Sequence, residues 1–211
     1  MATDDLWVWD GGRICLDFVN TLRFRWRTTP EETLRSAVDL SRWLQEAGLL
    51  APDAAAVDPV ATTVLASGLR LRETLDRTVQ AVADGLMPDS RDVTLLNRSA
   101  AAAPRPALQL AVRDGRLAPA GTADRACDPM AALALIAQDA VALVLSDEIR
   151  RVRVCGAERC ALRFVDRSPA RNRRWCSMSR CGNRAKVRLH QARARGTGPR
   201  PDVRSGRAPD S

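Results

Sequence analysis

The chain has 211 residues, 45% of them hydrophobic, and carries 33 Lys and Arg against 25 Asp and Glu, a formal charge of +8 at pH 7. No run of 18 apolar residues occurs, so no membrane-spanning helix is expected. With one histidine, no phosphate loop and no nucleophile elbow, the chain is not expected to be an enzyme. The charge is unevenly spread: from Arg150 onward 18 basic residues face four acids, whereas the first 149 residues have an excess of acids. Lys186 is the only lysine. A coding bias toward arginine would exchange Lys for Arg but would not strip acids from one end, so a polyanionic partner is expected for the basic half.

The N-terminal segment, residues 1–149, reads as a mainly helical domain with one small β-hairpin. Trp7, Trp9, Phe18, Phe24 and Trp26 crowd its start. If Ile14 to Thr21 is helical, Asp17, Asn20 and Thr21 lie within about one turn. Aromatic walls with convergent polar groups suit a small-molecule pocket, for which Asp17, Asn20, Thr21 and Trp43 are the candidates. A capped, buried turn is the competing reading of the same residues. Thr29-Pro30-Glu31-Glu32 predicts a helix start, with a break near Asp39, an end at Gly48, and Leu34, Val38, Leu44 and Ala47 inward. Asp58-Pro59 opens the next helix, with Val64, Leu71, Leu75, Val79 and Val82 on one face and Gly85 closing it. A shorter helix is predicted over 90–103, stopped by Pro104. Asp114-Gly115 between two alternating runs is a hairpin signal, and Asp128-Pro129 caps an apolar helix to about Leu145. Cys15 and Cys127 read as small buried residues.

The basic half, residues 150–195, contains Cys155, Cys160, Cys176 and Cys181 as two C-x4-C pairs. Residues 1–12 include Asp4, Asp5 and Asp10 and lack a cationic start and a long apolar stretch, so no secretory signal is expected and the thiols should stay reduced. Two knuckles of paired thiolates suit one structural, tetrahedral zinc ion; an iron–sulfur cluster and disulfides are the alternatives. Arg151 to Val154 and Ala161 to Val165 alternate like strands flanking the first pair. Ser177 is a helix cap, and a helix over Met178 to Arg195 would align Met178, Cys181, Ala185, Leu189 and Ala192, with a weak point at Gly182-Asn183. The module is thus a small α+β, treble-clef-like fold. His190 lies outside the quartet and reads as a helix residue. Residues 196–211, rich in Gly, Pro and Arg, read as a disordered basic tail.

Arg173-Arg174-Trp175-Cys176-Ser177-Met178 followed by Cys181-Gly182-Asn183-Arg184-Ala185-Lys186 closely resembles the CGNR zinc finger family. Leu16-Asp17-Phe18-Val19-Asn20-Thr21 and Leu40-Ser41-Arg42-Trp43-Leu44 with Gly48-Leu49-Leu50 resemble the ABATE domain found beside that finger. The resemblance implies a bacterial, stress-associated transcription regulator whose finger is proposed to bind DNA, with the four cysteines as ligands.

These readings converge on a zinc-dependent DNA-binding regulator, cytoplasmic and nucleoid-associated, with an N-terminal domain that senses an unknown small molecule or partner. Arg171, Arg173, Arg174, Arg180, Arg184, Lys186 and Arg188 are the expected backbone contacts and Asn183 a base reader. RNA is the alternative partner, with Trp175 the one tryptophan of the module available for stacking. An N-terminal enzyme with a basic docking module is a second alternative. A symmetric operator would imply a homodimer.

Overall fold

The computed structural model describes residues 7–52, 54, 62–102, 110–119 and 125–194. The chain folds as two compact units, Met1–Cys176 and Ser177–Ser211. Among the described residues the first is built from helices α1 (Ile14–Val19), α2 (Ala37–Glu46), α3 (Thr62–Ala83), α4 (Ser90–Ala100) and α5 (Pro129–Val144), with three antiparallel strand pairs inserted between or after them. The pairs are β1 (Leu22–Arg23) with β2 (Glu31–Glu32), β3 (Leu110–Arg113) with β4 (Arg116–Pro119), and β5 (Val152–Val154) with β6 (Arg163–Val165).

Local sequence dictates much of this. The Asp128 carboxylate accepts from the Ala131 N–H at 2.9 Å and Pro129 occupies the first turn, so α5 begins where its cap and fixed φ favour it. Its face of Ala132, Leu133, Ile136, Ala137, Ala140 and Leu143 is buried. In α3, Leu71, Leu75 and Val79 are buried and Val64 and Val82 pack beside them, as the 3.6-residue period predicts. Asp114 and Gly115 both have positive φ, 51° and 72°, the conformation a two-residue hairpin turn requires. Trp43 sits at the centre of the core, stacked on Trp9 at 5.3 Å and tilted against Phe18 at 5.1 Å. Trp7 is buried, whereas Trp26 is 49% exposed. Cys15 is buried and Cys127 exposed, so only the first fits the reading of a small buried residue.

Two expectations about the second helix fail. No helix starts at Pro30: Glu31 and Glu32 form β2, paired with Arg23 and Leu22, and α2 starts at Ala37 behind a Ser36 cap that accepts from the Asp39 N–H. The reason is tertiary. The Glu32 carboxylate takes both terminal Arg72 nitrogens, at 2.7 and 2.6 Å, and Thr33 donates its hydroxyl to the Thr21 carbonyl, which ties this segment to α3 and to the turn after α1 in extended form. Val38, expected inward, is 49% exposed because the later start rotates the helix, and Leu40 and Trp43 take the inner face. The helix start at Asp58-Pro59, the stop at Pro104, the side chain of His190 and the tail from Gly196 lie outside the described residues.

The second unit contains a π turn (Met178–Gly182) and α6 (Asn183–Ala194). The weak point read at Gly182-Asn183 is thus where the π turn passes into the α-helix. Met178, expected on the inner stripe, is half exposed, because a π turn offsets the side chains that a continuous α-helix would align.

Candidate metal centre

The first cysteine pair is carried by the β5–β6 hairpin, whose register is Val152 with Val165, Arg153 with Phe164 and Val154 with Arg163. Beyond β5 the Cys155 N–H bonds the Leu162 carbonyl at 2.8 Å, so pairing continues into the knuckle. The chain then turns through Ala157 to Cys160 and leaves with Ala161 at φ 67°. The Gly156 N–H reaches the Arg174 carbonyl at 2.9 Å, which holds the segment before Cys176 alongside this knuckle.

The Cys176 N–H donates to the Cys155 sulfur at 3.3 Å, and the Cys160 and Cys176 sulfurs are 3.8 Å apart. In the second unit, the Ser177 hydroxyl accepts from the Arg180 N–H and the Ser177 carbonyl from the Cys181 N–H, fixing Cys181 within the π turn. The four thiol sulfurs lie within 4.8 Å of one another, and all four residues are buried.

A tetrahedral zinc ion with Zn–S bonds of about 2.3 Å requires sulfur separations of about 3.8 Å, so the cage has the right size for one ion. A disulfide needs about 2.05 Å, and a multi-iron cluster needs its cysteines spread over separate irons. The protonation chemistry agrees. Hydrogen bonds from Cys160 and then Cys176 push the Cys155 thiol down, while Cys160 is pushed up by its bond to that thiolate, against the pull of Cys176, and Cys176 is pushed up by its bonds to both. A divalent cation removes this conflict by letting every sulfur ionise. Four protein ligands leave no open position, so the site binds one structural zinc ion and offers it no catalytic role.

The hairpin is bolted to the helices. Within the first unit, Arg163 of β6 makes a two-pronged ion pair with Asp76 of α3, and its Nη1 also reaches the Ala161 carbonyl. The Asn20 side chain donates to the Arg163 carbonyl at 2.9 Å and accepts from the Arg163 N–H at 2.8 Å. Gly11 presents its carbonyl to the Val165 N–H at 2.9 Å and its own N–H to the Asp17 carboxylate at 2.8 Å. A Cβ on Gly11 would stand 2.8 Å from that carboxylate oxygen, so the contact needs glycine. Burial raises Asp17 to about 7, against the pull of the Gly11 N–H, with Asp10 and Asp139 adding to the rise.

The residues expected to line a ligand pocket therefore lie in packed interior. Asp17 and Asn20 bond backbone, Thr21 donates to the Phe18 carbonyl and accepts from Arg72, and Trp43 is core. The buried-turn reading describes them. A concavity of about 660 Å³ in the first unit lies elsewhere: Leu95 and Met130 line it together with Arg70, Arg91 and Arg98.

Of the expected nucleic-acid contacts, Asn183, Arg184, Lys186 and Arg188 are exposed on α6, and Arg171 and Arg174 are exposed in the first unit. Arg180 is half-buried. Arg173 is held internally, with Nε on the Trp175 carbonyl at 2.8 Å, its N–H on Asp166 at 2.9 Å, and its guanidinium over Phe164. Arg174 lies over the Trp175 ring at 5.1 Å, a cationic partner already on the one tryptophan considered for base stacking. Sequence reading missed Arg150, Arg151 and Arg153, which with Arg171 line a second concavity; the signal was the run Arg150-Arg151-Val152-Arg153.

Fold and site thus define a helical protein carrying a four-cysteine zinc module. Residues 12–147 match the family model of ABATE, described as "Putative stress-induced transcription regulator", and residues 151–194 match the CGNR zinc finger. The first match spans more than half of the chain, which therefore belongs to the ABATE family. Both families are regulatory or zinc-finger families rather than enzymatic ones. No curated protein matches the chain. Among the described residues no helix is long and apolar enough to cross a membrane.

Proposed function

We propose that the protein is a zinc-dependent regulator that binds duplex DNA through its basic module and responds to a ligand or partner through its helical domain, acting in the cytoplasm at the nucleoid. The observation that carries this reading is α6. Its cap and π turn are fixed around a zinc ligand, and Asn183, Arg184, Lys186 and Arg188 are exposed within its first two turns. A helix presenting cations and one amide in this way suits a major groove, with the cations on phosphates and Asn183 able to read adenine. Arg171 and Arg174 add phosphate contacts. The apolar concavity rimmed by Arg70, Arg91 and Arg98 supports an effector site in the helical domain.

The test is retention of random duplexes by the zinc-loaded protein, with sequencing of what is retained. Enrichment of a motif supports the reading; preferential competition by single-stranded RNA over duplex overturns it.

A further inference from the structure

After α5 the chain turns through a 3-10 segment (Asp147–Arg151) into β5. Asp147, Arg150, Arg151, Arg153, Asp166 and Arg171 together line a concavity of about 410 Å³. Four guanidinium groups meet two carboxylates there, and one carboxylate is already committed. Asp166 accepts from the Ser168 N–H at 2.9 Å, the Ser168 hydroxyl at 2.6 Å and the Arg173 N–H at 2.9 Å. Arg153 donates to the Arg150 and Val152 carbonyls at 3.0 and 3.1 Å, which pins it to the wall. Arg150, Arg151 and Arg171 form no ion pair among the described residues.

Like charges gathered around a concavity repel, and an anion seated among them relieves the cost. Among the described residues no aliphatic or aromatic side chain lines this one, so its specificity is for a polar, anionic head. The surplus of two positive charges matches a phosphate dianion, whose several acceptor oxygens suit more than one guanidinium fork.

We propose that this concavity is a phosphate-binding site. It lies where the two family segments adjoin: Asp147 ends the ABATE match and Arg151 begins the CGNR match. A phosphate held here ties the turn leaving α5 to the zinc hairpin. The phosphate belongs either to a nucleic-acid backbone or to a free phosphoester; only that choice rests on the DNA-binding reading.

The full-length, zinc-loaded protein is titrated calorimetrically with inorganic pyrophosphate at constant ionic strength, with chloride as the control. Saturable binding is expected, weakened roughly tenfold by each of Arg150→Gln and Arg171→Gln and left unchanged by Arg116→Gln on the exposed β3–β4 hairpin. Zinc content and the unfolding midpoint of each variant identify any that misfold, and Arg151→Gln serves in place of one that does. No saturation above chloride, or equal binding by the pocket variants, overturns the proposal. Displacement of pyrophosphate by duplex DNA assigns the site to a backbone phosphate; simultaneous binding assigns it to a free phosphoester. A protein that binds pyrophosphate and no duplex would sink the DNA reading while this site stands.

Discussion

Arg163 and Asp76, 87 residues apart in the chain, face each other with Nε on Oδ1 at 2.7 Å and Nη2 on Oδ2 at 2.9 Å, both residues 7% exposed. A guanidinium from the zinc hairpin is thereby sunk into the helical core, where desolvation makes both charges costly unless they stay paired. The pair ties the hairpin to α3, and Arg25 Nη1 also lies 3.2 Å from Asp76 Oδ2.

Breaking it from one side leaves a buried charge. Asp76→Ala should therefore destabilise the protein by about 3–5 kcal/mol, read from chemical unfolding. Asp76→Leu with Arg163→Met should recover much of that loss. A single variant within about 1 kcal/mol of the parent would show that the pair is solvated and does not anchor the hairpin.

Asn20 is a second anchor, and a different one. Asn20→Ala leaves the Arg163 N–H and carbonyl buried without partners, with an expected cost of about 2–4 kcal/mol. Asn20→Asp keeps an acceptor for the N–H but turns a carboxylate toward the carbonyl, so it should fare no better. A variant with parental stability and an altered response to a small molecule would restore the pocket reading of this residue.

How much of this was legible in the sequence depended on distance along the chain. Asp128-Pro129, Asp114-Gly115 and the two cysteine pairs carry their meaning within a few residues, and each forms the cap, turn or knuckle that its chemistry dictates. Thr29-Pro30-Glu31-Glu32 has equally good local helix chemistry, yet Glu32 is claimed by Arg72, 40 positions away. Asp17 and Asn20 looked like pocket residues because convergent polar groups beside aromatic side chains suit a ligand. Their partners, Gly11 and Arg163, could not be named without the fold. A hint was present in Leu162-Arg163-Phe164, an arginine inside a buried strand, which requires an acid opposite it.

Asp17 makes stability depend on pH. The folded protein holds its carboxyl proton up to about pH 7, whereas an unfolded aspartate releases it near 3.9. The folded state thus binds this proton more tightly, so stability falls as pH rises from about 4 to 7 and stays low above that. Asp17→Asn preserves an acceptor for the Gly11 N–H and removes the titration. It should stabilise the protein by on the order of 3 kcal/mol at pH 8 and by much less at pH 5. An equal effect at both values would show that the carboxyl is already ionised in the fold.

The cage makes a compositional prediction. The purified protein should hold one zinc ion, and replacing any of Cys155, Cys160, Cys176 or Cys181 with Ser should lower affinity by more than the roughly 10–100-fold typical of changes outside the ligand shell. Cobalt substituted for zinc should give the absorption of a tetrahedral four-thiolate site. Because Cys160 and Cys176 hold their protons tightly without metal, uptake should release protons and weaken as pH falls. Parental metal content in two separate serine variants would mean that other residues complete the site.

If α6 engages DNA, salt is the most direct probe of how. Five phosphate contacts predict that log Kobs falls against log salt with a slope near about −4.5. Arg184→Ala and Lys186→Ala should each reduce the slope by about 1 and weaken all sequences alike, because a cation on a phosphate reads no base. Asn183→Ala should leave the slope and instead flatten the preference at one position, because an exposed amide at the helix start contributes hydrogen bonds and no charge. These two signatures separate positioning from reading on a single helix. A slope near zero would remove nucleic acid as the partner of α6, whereas parental slopes in both cation variants would move the contact to another face of the module.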